Sequence, residues 1–165
     1  MDIQINLAAM EQASSIAAIL RQAFLEYEAL YTPEAFAATT PTAAQIQNRW
    51  NEGPVWAALN NDKIIGTVAA VPKNKSLYIR SMALIPAARG HGVGKSLLHE
   101  IERFAMENDF QRMYLSTTPF LHPAISLYEG FGFKRKEEGP HTLFGTPLFT
   151  MEKTLVPKSK GHHVT

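Results

Sequence analysis

The run Pro86-Ala87-Ala88-Arg89-Gly90-His91-Gly92-Val93-Gly94-Lys95-Ser96 constrains this chain more than any other stretch. An apolar, strand-like segment over 77–85 leads into it. Behind it, Val93, Leu97, Leu98, Ile101, Phe104 and Ala105 recur at helical spacing, which predicts an amphipathic helix over 93–108. A strand turning sharply into a helix leaves the first helical N–H groups without acceptors, and the helix dipole adds positive potential there. Glycines let such a backbone come close to an anion and adopt positive φ. Between residues 73 and 95 the charged residues are Lys73, Lys75, Arg80, Arg89 and Lys95, with no Asp or Glu. The turn reads as a binding site for phosphate or pyrophosphate.

Two common nucleotide motifs do not fit. Gly94-Lys95-Ser96 resembles the end of a P-loop, but that motif needs a glycine where Arg89 stands. A dinucleotide fingerprint needs a glycine at the position of Lys95.

The rest of the chain supplies one mixed domain. Its 165 residues are 45% apolar and 19% charged, enough for a single core and unlike a disordered or fibrous chain. There is no cysteine, so disulfides, thiolate metal sites and a cysteine nucleophile are excluded. A net charge of +1 gives no footprint for nucleic acid. No apolar run has the length of a membrane span, and the N-terminus lacks a basic leader, so a cytoplasmic protein is expected. The domain is expected over 1–155. A polar tail is expected over 156–165, where His162 and His163 read as a frayed end and not as a metal site.

Alternation predicts strands over 2–7, 55–59, 64–71, 77–85, 113–117, 133–137 and 147–153. Helical spacing predicts one long helix over 9–30, a short one over 42–51, the helix over 93–108, and another over 123–131 that opens on Pro123. The expected class is α/β (α+β), with a mixed sheet and packed helices. Strands 77–85 and 113–117, joined by a helix, are expected to be parallel.

Arg-x-x-Gly-x-Gly over 89–94, placed between strand and helix, resembles the coenzyme-binding signature of the GNAT superfamily of N-acetyltransferases. The segment Ala124-Ile125-Ser126-Leu127-Tyr128-Glu129-Gly130-Phe131-Gly132-Phe133 resembles that superfamily's A-x-x-L-Y-x-x-x-G-F signature. The similarity spans about residues 3–154. It implies a mostly antiparallel sheet with a splayed parallel pair, helices on both faces, and acetyl-CoA as co-substrate. It further implies that the pyrophosphate lies on the backbone of Arg89, Gly90, Gly92, Val93, Gly94 and Lys95. The pantetheine arm would run along the main chain of Met82, Ala83 and Leu84, on a strand that bulges, with the acetyl group near Leu84. Tyr128 would return a proton to the departing thiolate. Packing alone would also account for Tyr128, which lies among Ile125, Leu127 and Phe131.

The pattern departs from the superfamily in one place that matters. Relatives often carry a glutamate general base early in the central strand, and Tyr78 stands there. No carboxylate occurs in 76–88. Glu26, Glu28, His122 and His141 remain as candidate bases, alongside a water chain, and the sequence does not choose among them. His122 could equally cap the helix after it, His91 reads as a solvent-facing turn residue, and an Asn frequent in relatives is Leu121 here. Between 24 and 48 the acids Glu26, Glu28 and Glu34 have no basic neighbour, a feature that could draw a cationic amine or be plain solvated charge. The expected acceptor is a primary amine of a small molecule or amino acid, attacked directly, with no acetyl-enzyme. Alternatives are a protein lysine or N-terminus, or a non-catalytic acetyl-CoA sensor. No nucleic-acid or membrane partner is expected, and a homodimer is the default assembly for such enzymes.

Overall fold

The computed structural model describes residues 2–156. The expected tail, apart from Val156, lies outside the described residues, as do His162 and His163.

A seven-stranded sheet forms the spine. Its strands are β1 (Ile3–Leu7), β2 (Val55–Asn60), β3 (Lys63–Lys73), β4 (Ser76–Leu84), β5 (Arg112–Thr117), β6 (Lys134–Lys136) and β9 (Phe149–Thr154). They lie in the order β1-β2-β3-β4-β5-β9-β6. All neighbours are antiparallel except β4 and β5. A separate two-stranded hairpin pairs β7 (Thr142–Leu143) with β8 (Thr146–Pro147).

Helices cover both faces. The longest, α4 (Val93–Glu107), buries Val93, Leu97, Leu98, Ile101 and Ala105 against Val68, Leu77, Ile79, Met113 and Leu115 of the sheet. Helix α5 (His122–Gly130) joins that core through Tyr128 and Leu127. On the opposite face α1 (Ala13–Phe24) and α3 (Ala43–Asn48) pack Ile16, Ile19, Leu20 and Ile46 around Ala83. Thr42 starts α3 with a capping box, in which the Gln45 N–H donates to Thr42 Oγ1 at 3.2 Å and the Thr42 N–H to Gln45 Oε1 at 2.9 Å.

Three expectations need correction. The long helix over 9–30 is in fact a 3-10 turn (Met10–Gln12), α1, and a second 3-10 segment (Leu25–Leu30). Continuous apolar spacing hid the tightening beyond Phe24, where side chains remain regularly placed although the hydrogen bonding changes. A further helix, α2 (Pro33–Thr39), follows at once. Thr32 caps it by accepting the Ala35 N–H at 3.2 Å, and Pro33 sits at its start. The expected helix over 42–51 is α3 followed by a 3-10 turn at Trp50–Glu52. Near the C-terminus, 147–153 divides between the short β8 and β9.

The hairpin β7–β8 docks on the start of α2. The Thr32 N–H donates to Thr146 Oγ1 at 2.9 Å, and the Thr32 hydroxyl donates to the Phe144 carbonyl at 2.8 Å. Thr146 is fully buried. Replacing it by Val removes the acceptor for a part-buried N–H. Thr146→Val is expected to lower stability by about 1–3 kcal/mol in urea denaturation and to speed hydrogen exchange at the Thr32 amide.

Candidate active site

The site is built on a parting of strands. The β4–β5 ladder consists of Ser76 with Arg112, Leu77 with Met113 and Tyr78 with Tyr114. Both strands continue, β4 to Leu84 and β5 to Thr117, without further pairing between them. From Ile79 onward β4 pairs with β3 alone, and β5 with β9 alone. The result is a wedge whose apex is the Tyr78–Tyr114 rung, with ring centroids 5.1 Å apart.

A bulge drives the parting. Thr67 pairs with Ala83 and Ala69 with Arg80, so Ser81 and Met82 together oppose Val68. Ser81 takes φ +55°, a conformation that costs a non-glycine residue energy unless its surroundings hold it. Arg49 does so, donating from Nη2 to Ser81 Oγ at 2.9 Å. The bulge therefore lies at Ser81 and Met82, upstream of Leu84.

Strand β4 leads through Pro86–Ala88 into the glycine turn and then α4. Gly90 and Gly92 have φ of +81° and +78°. A Cβ on either would meet nothing within 4 Å, so both open onto free space. Gly92 is the N-cap of α4, and no side chain caps the helix. The N–H groups of Val93, Gly94 and Lys95 thus point outward without intrahelical acceptors. This donor set fits a pyrophosphate: several amides, a helix N-terminus, and space that side chains would otherwise fill. Gly94 serves packing instead. A Cβ there would lie 2.7 Å from Leu127 Cδ2 and 3.5 Å from Met82 Cε, so the missing side chain lets α5 and β4 close on α4.

The same closure seats Tyr128 of α5 in the core beneath α4. Tyr128 is buried, packs 5.9 Å from the Phe133 ring, and shares a core with Met82, Leu84 and Leu127. Burial pushes its phenol well above the ordinary value, and the Tyr31 phenol adds to the effect. Tyr128 is accordingly protonated at every physiological pH and can donate but not act as a base. Tyr31 sits in an aromatic roof with Phe36 and Phe120, 4.9 Å edge-on from the latter. Burial raises its phenol too.

The candidate bases do not converge. Glu26 is ion-paired with Arg89 at 2.7 Å, which ties the Leu25–Leu30 segment to the glycine turn. Glu28, His122 and His141 are exposed, the first on that 3-10 segment, the second at the start of α5 and the third before β7. No cluster of three metal-ligating side chains occurs among the described residues. Sequence reasoning missed Arg49 and counted Arg80 only within the basic run over 73–95; the two meet on the α1 and α3 side of β4 near Glu52. The alternation that faces Tyr78 away from α4 could have flagged Arg80; Arg49 is distant in sequence and had no signal.

Several known proteins are similar to this chain in sequence or fold. Residues 19–133 match the family model described as the acetyltransferase (GNAT) family. The chain is 28% identical over 131 residues to the uncharacterized N-acetyltransferase YjgM of Escherichia coli (strain K12), covering 76% of this chain and 78% of that protein. It is 30% identical over 111 residues to N-acetylaspartate synthetase of Danio rerio, covering 66% of this chain but only 39% of that protein. The fold matches the PaiA N-acetyltransferase of Thermoplasma acidophilum, solved with coenzyme A, at a TM-score of 0.81 and 19% identity over 94% of this chain and all of that one.

Gly90→Ala and Gly92→Ala each place a methyl in open space, so only the positive φ opposes them. Each is expected to cost about 1–2 kcal/mol in thermal or urea unfolding, with the fold retained by circular dichroism.

Proposed function

Since the chain belongs to the acetyltransferase (GNAT) family, we propose that it moves an acetyl group from acetyl-CoA to a primary amine of a small molecule or amino acid. The observation that carries this reading is the unpaired run of β4 beyond Tyr78, in line with the amide-rich turn and bordered by Tyr128. Coenzyme A in the PaiA structure supports the choice of co-substrate.

Acetyl-CoA supplies an activated thioester whose sulfur leaves as thiolate. The chain's residues divide the remaining work. Backbone N–H groups of Arg89, Gly90, Gly92, Val93, Gly94 and Lys95 hold the pyrophosphate, that of Arg89 shared with the Pro86 carbonyl at 3.2 Å, and Gly90 and Gly92 keep the approach open. The main chain of Met82, Ala83 and Leu84 offers an unpaired edge, along which pantetheine lies as an added strand. An N–H at the Ser81–Met82 bulge points to the carbonyl oxygen and stabilises charge developing there, so the acetyl group sits closer to Met82 than to Leu84. Tyr128 donates its proton to sulfur. Burial disfavours tyrosinate and thiolate alike, so the proton transfer does not require an exposed acid. With no cysteine in the chain, the amine attacks directly.

Tyr128→Phe is expected to lower kcat by about 100-fold or more, with KM for acetyl-CoA nearly unchanged, measured as free coenzyme A released in the presence of an amine panel. Equal turnover by the variant would remove the acid role; tight acetyl-CoA binding with no turnover on any amine would favour a sensor. Because the raised phenol keeps its proton, the wild-type rate is expected not to fall through Tyr128 between about pH 7 and about pH 10. A pH–rate profile checks this, and a descending limb absent from Tyr128→Phe would contradict it.

A further inference from the structure

The face of β4 turned toward α1 and α3 carries a cationic pair that the transfer chemistry does not use. Arg80 is the first residue on the Tyr78 side of β4 beyond the last β4–β5 rung, so it stands at the apex of the wedge. It precedes Met82 by two residues, about 7 Å along a strand. Arg49 reaches in from the end of α3 to the hydroxyl of Ser81, the next residue. The bulge turns Ser81 toward the same side as Arg80, and so brings the two guanidinium groups together.

Their partners are incomplete. Glu52 Oε1 accepts from Arg80 Nη2 at 2.5 Å, leaving Arg80 Nε buried without an acceptor. Arg49 is half-buried and has no carboxylate within 4.0 Å among the described residues. Burial and the charge of Arg80 both work against its cationic form. Arg112, across the Tyr78–Tyr114 rung, shows the usual solution, with Glu138 at 2.6 Å and Glu152 at 2.7 Å. Two cations sharing one half-exposed carboxylate leave an excess positive charge beside the acetyl position. The cavity under them, about 20 Å³, has room for one water and not for a substrate. An anion must therefore meet the pair from the wedge.

The geometry points to Arg49 and Arg80 as the anchor for a carboxylate on the acceptor, so that the substrate is an amino acid or a small amine bearing a carboxylate close to its nitrogen. Guanidinium groups match a carboxylate in planar, paired hydrogen bonds. This inference rests on the acetyltransferase reading for its role but not for its binding test.

Binding is measured first, on the full chain with coenzyme A present, as the shift in thermal midpoint caused by L-aspartate, L-alanine, L-alaninamide, putrescine or inorganic phosphate. The two amino acids are expected to raise the midpoint, and alaninamide and putrescine are not. Arg49→Gln and Arg80→Gln are expected to abolish the shift, Arg80→Gln with coenzyme A still bound, and Arg49→Lys to recover part of it. Turnover is measured next. The amino acids are expected to exceed alaninamide in kcat/KM by at least about tenfold, and Arg80→Gln to raise KM for the amino acid by a similar factor at unchanged KM for acetyl-CoA. Equal shifts by alaninamide or phosphate, or a shift retained in both glutamine variants, would overturn the proposal. Amines turned over with no carboxylate bound would sink it and leave the transferase reading standing. Carboxylates bound as predicted, with no amine acetylated, would uphold the site and sink that reading.

Discussion

Two parallel strands that stop pairing halfway along their length determine everything else about this molecule. Backbone amides in a sheet interior are normally saturated by their neighbours. Here β4 and β5 share a rung at Tyr78 and Tyr114 and then diverge, and each keeps its outer partner. The edge that results is internal, flanked by helices on both faces. It is a place for an extended ligand to complete the sheet without exposing an aggregation-prone border to solvent. The bulge at Ser81 and Met82 produces the divergence, and the Arg49–Ser81 contact holds the strained residue in place.

Around that edge, three independent devices share one direction. The glycine turn sets amide donors at the mouth of the wedge through positive φ at Gly90 and Gly92. Gly94 gives up its side chain so that α5 can lie against α4 and present Tyr128. Thr32 and Thr146 fasten the β7–β8 hairpin to the start of α2, beside the aromatic roof of Tyr31, Phe36 and Phe120. Each device depends on a small residue or hydroxyl where bulk would block the approach. The electrostatics are divided as well. Neutral, buried phenols lie on the helix side, and the guanidinium groups of Arg49 and Arg80, of which only Arg80 has a carboxylate partner, stand near the apex.

Much of this was legible in the sequence, for identifiable reasons. The helix over 93–107 and its glycine entrance combine strong periodicity with residues that few other conformations need. Tyr128 stood out because its neighbours form a spaced signature and not because of its own environment. The strands of the sheet were readable from alternation, within one or two residues at most ends. The region from 25 to 42 was not, because 3-10 and α turns share apolar spacing over so few residues. Arg49 and Arg80 were invisible as a pair, since only the bulge and the return of α3 onto the sheet bring them together. The general base has no clear owner in the structure either: Glu26 is engaged with Arg89, and Glu28, His122 and His141 face solvent.

The most direct test of the wedge is backbone amide NMR of the labelled protein titrated with coenzyme A. The account predicts saturable shifts concentrated at the amides of Gly90, Gly92, Val93, Gly94 and Lys95 and along Met82, Ala83 and Leu84, with β1 and β6 unaffected. Saturable binding whose shifts avoid both segments, or no binding by a chain shown to be folded, would contradict it.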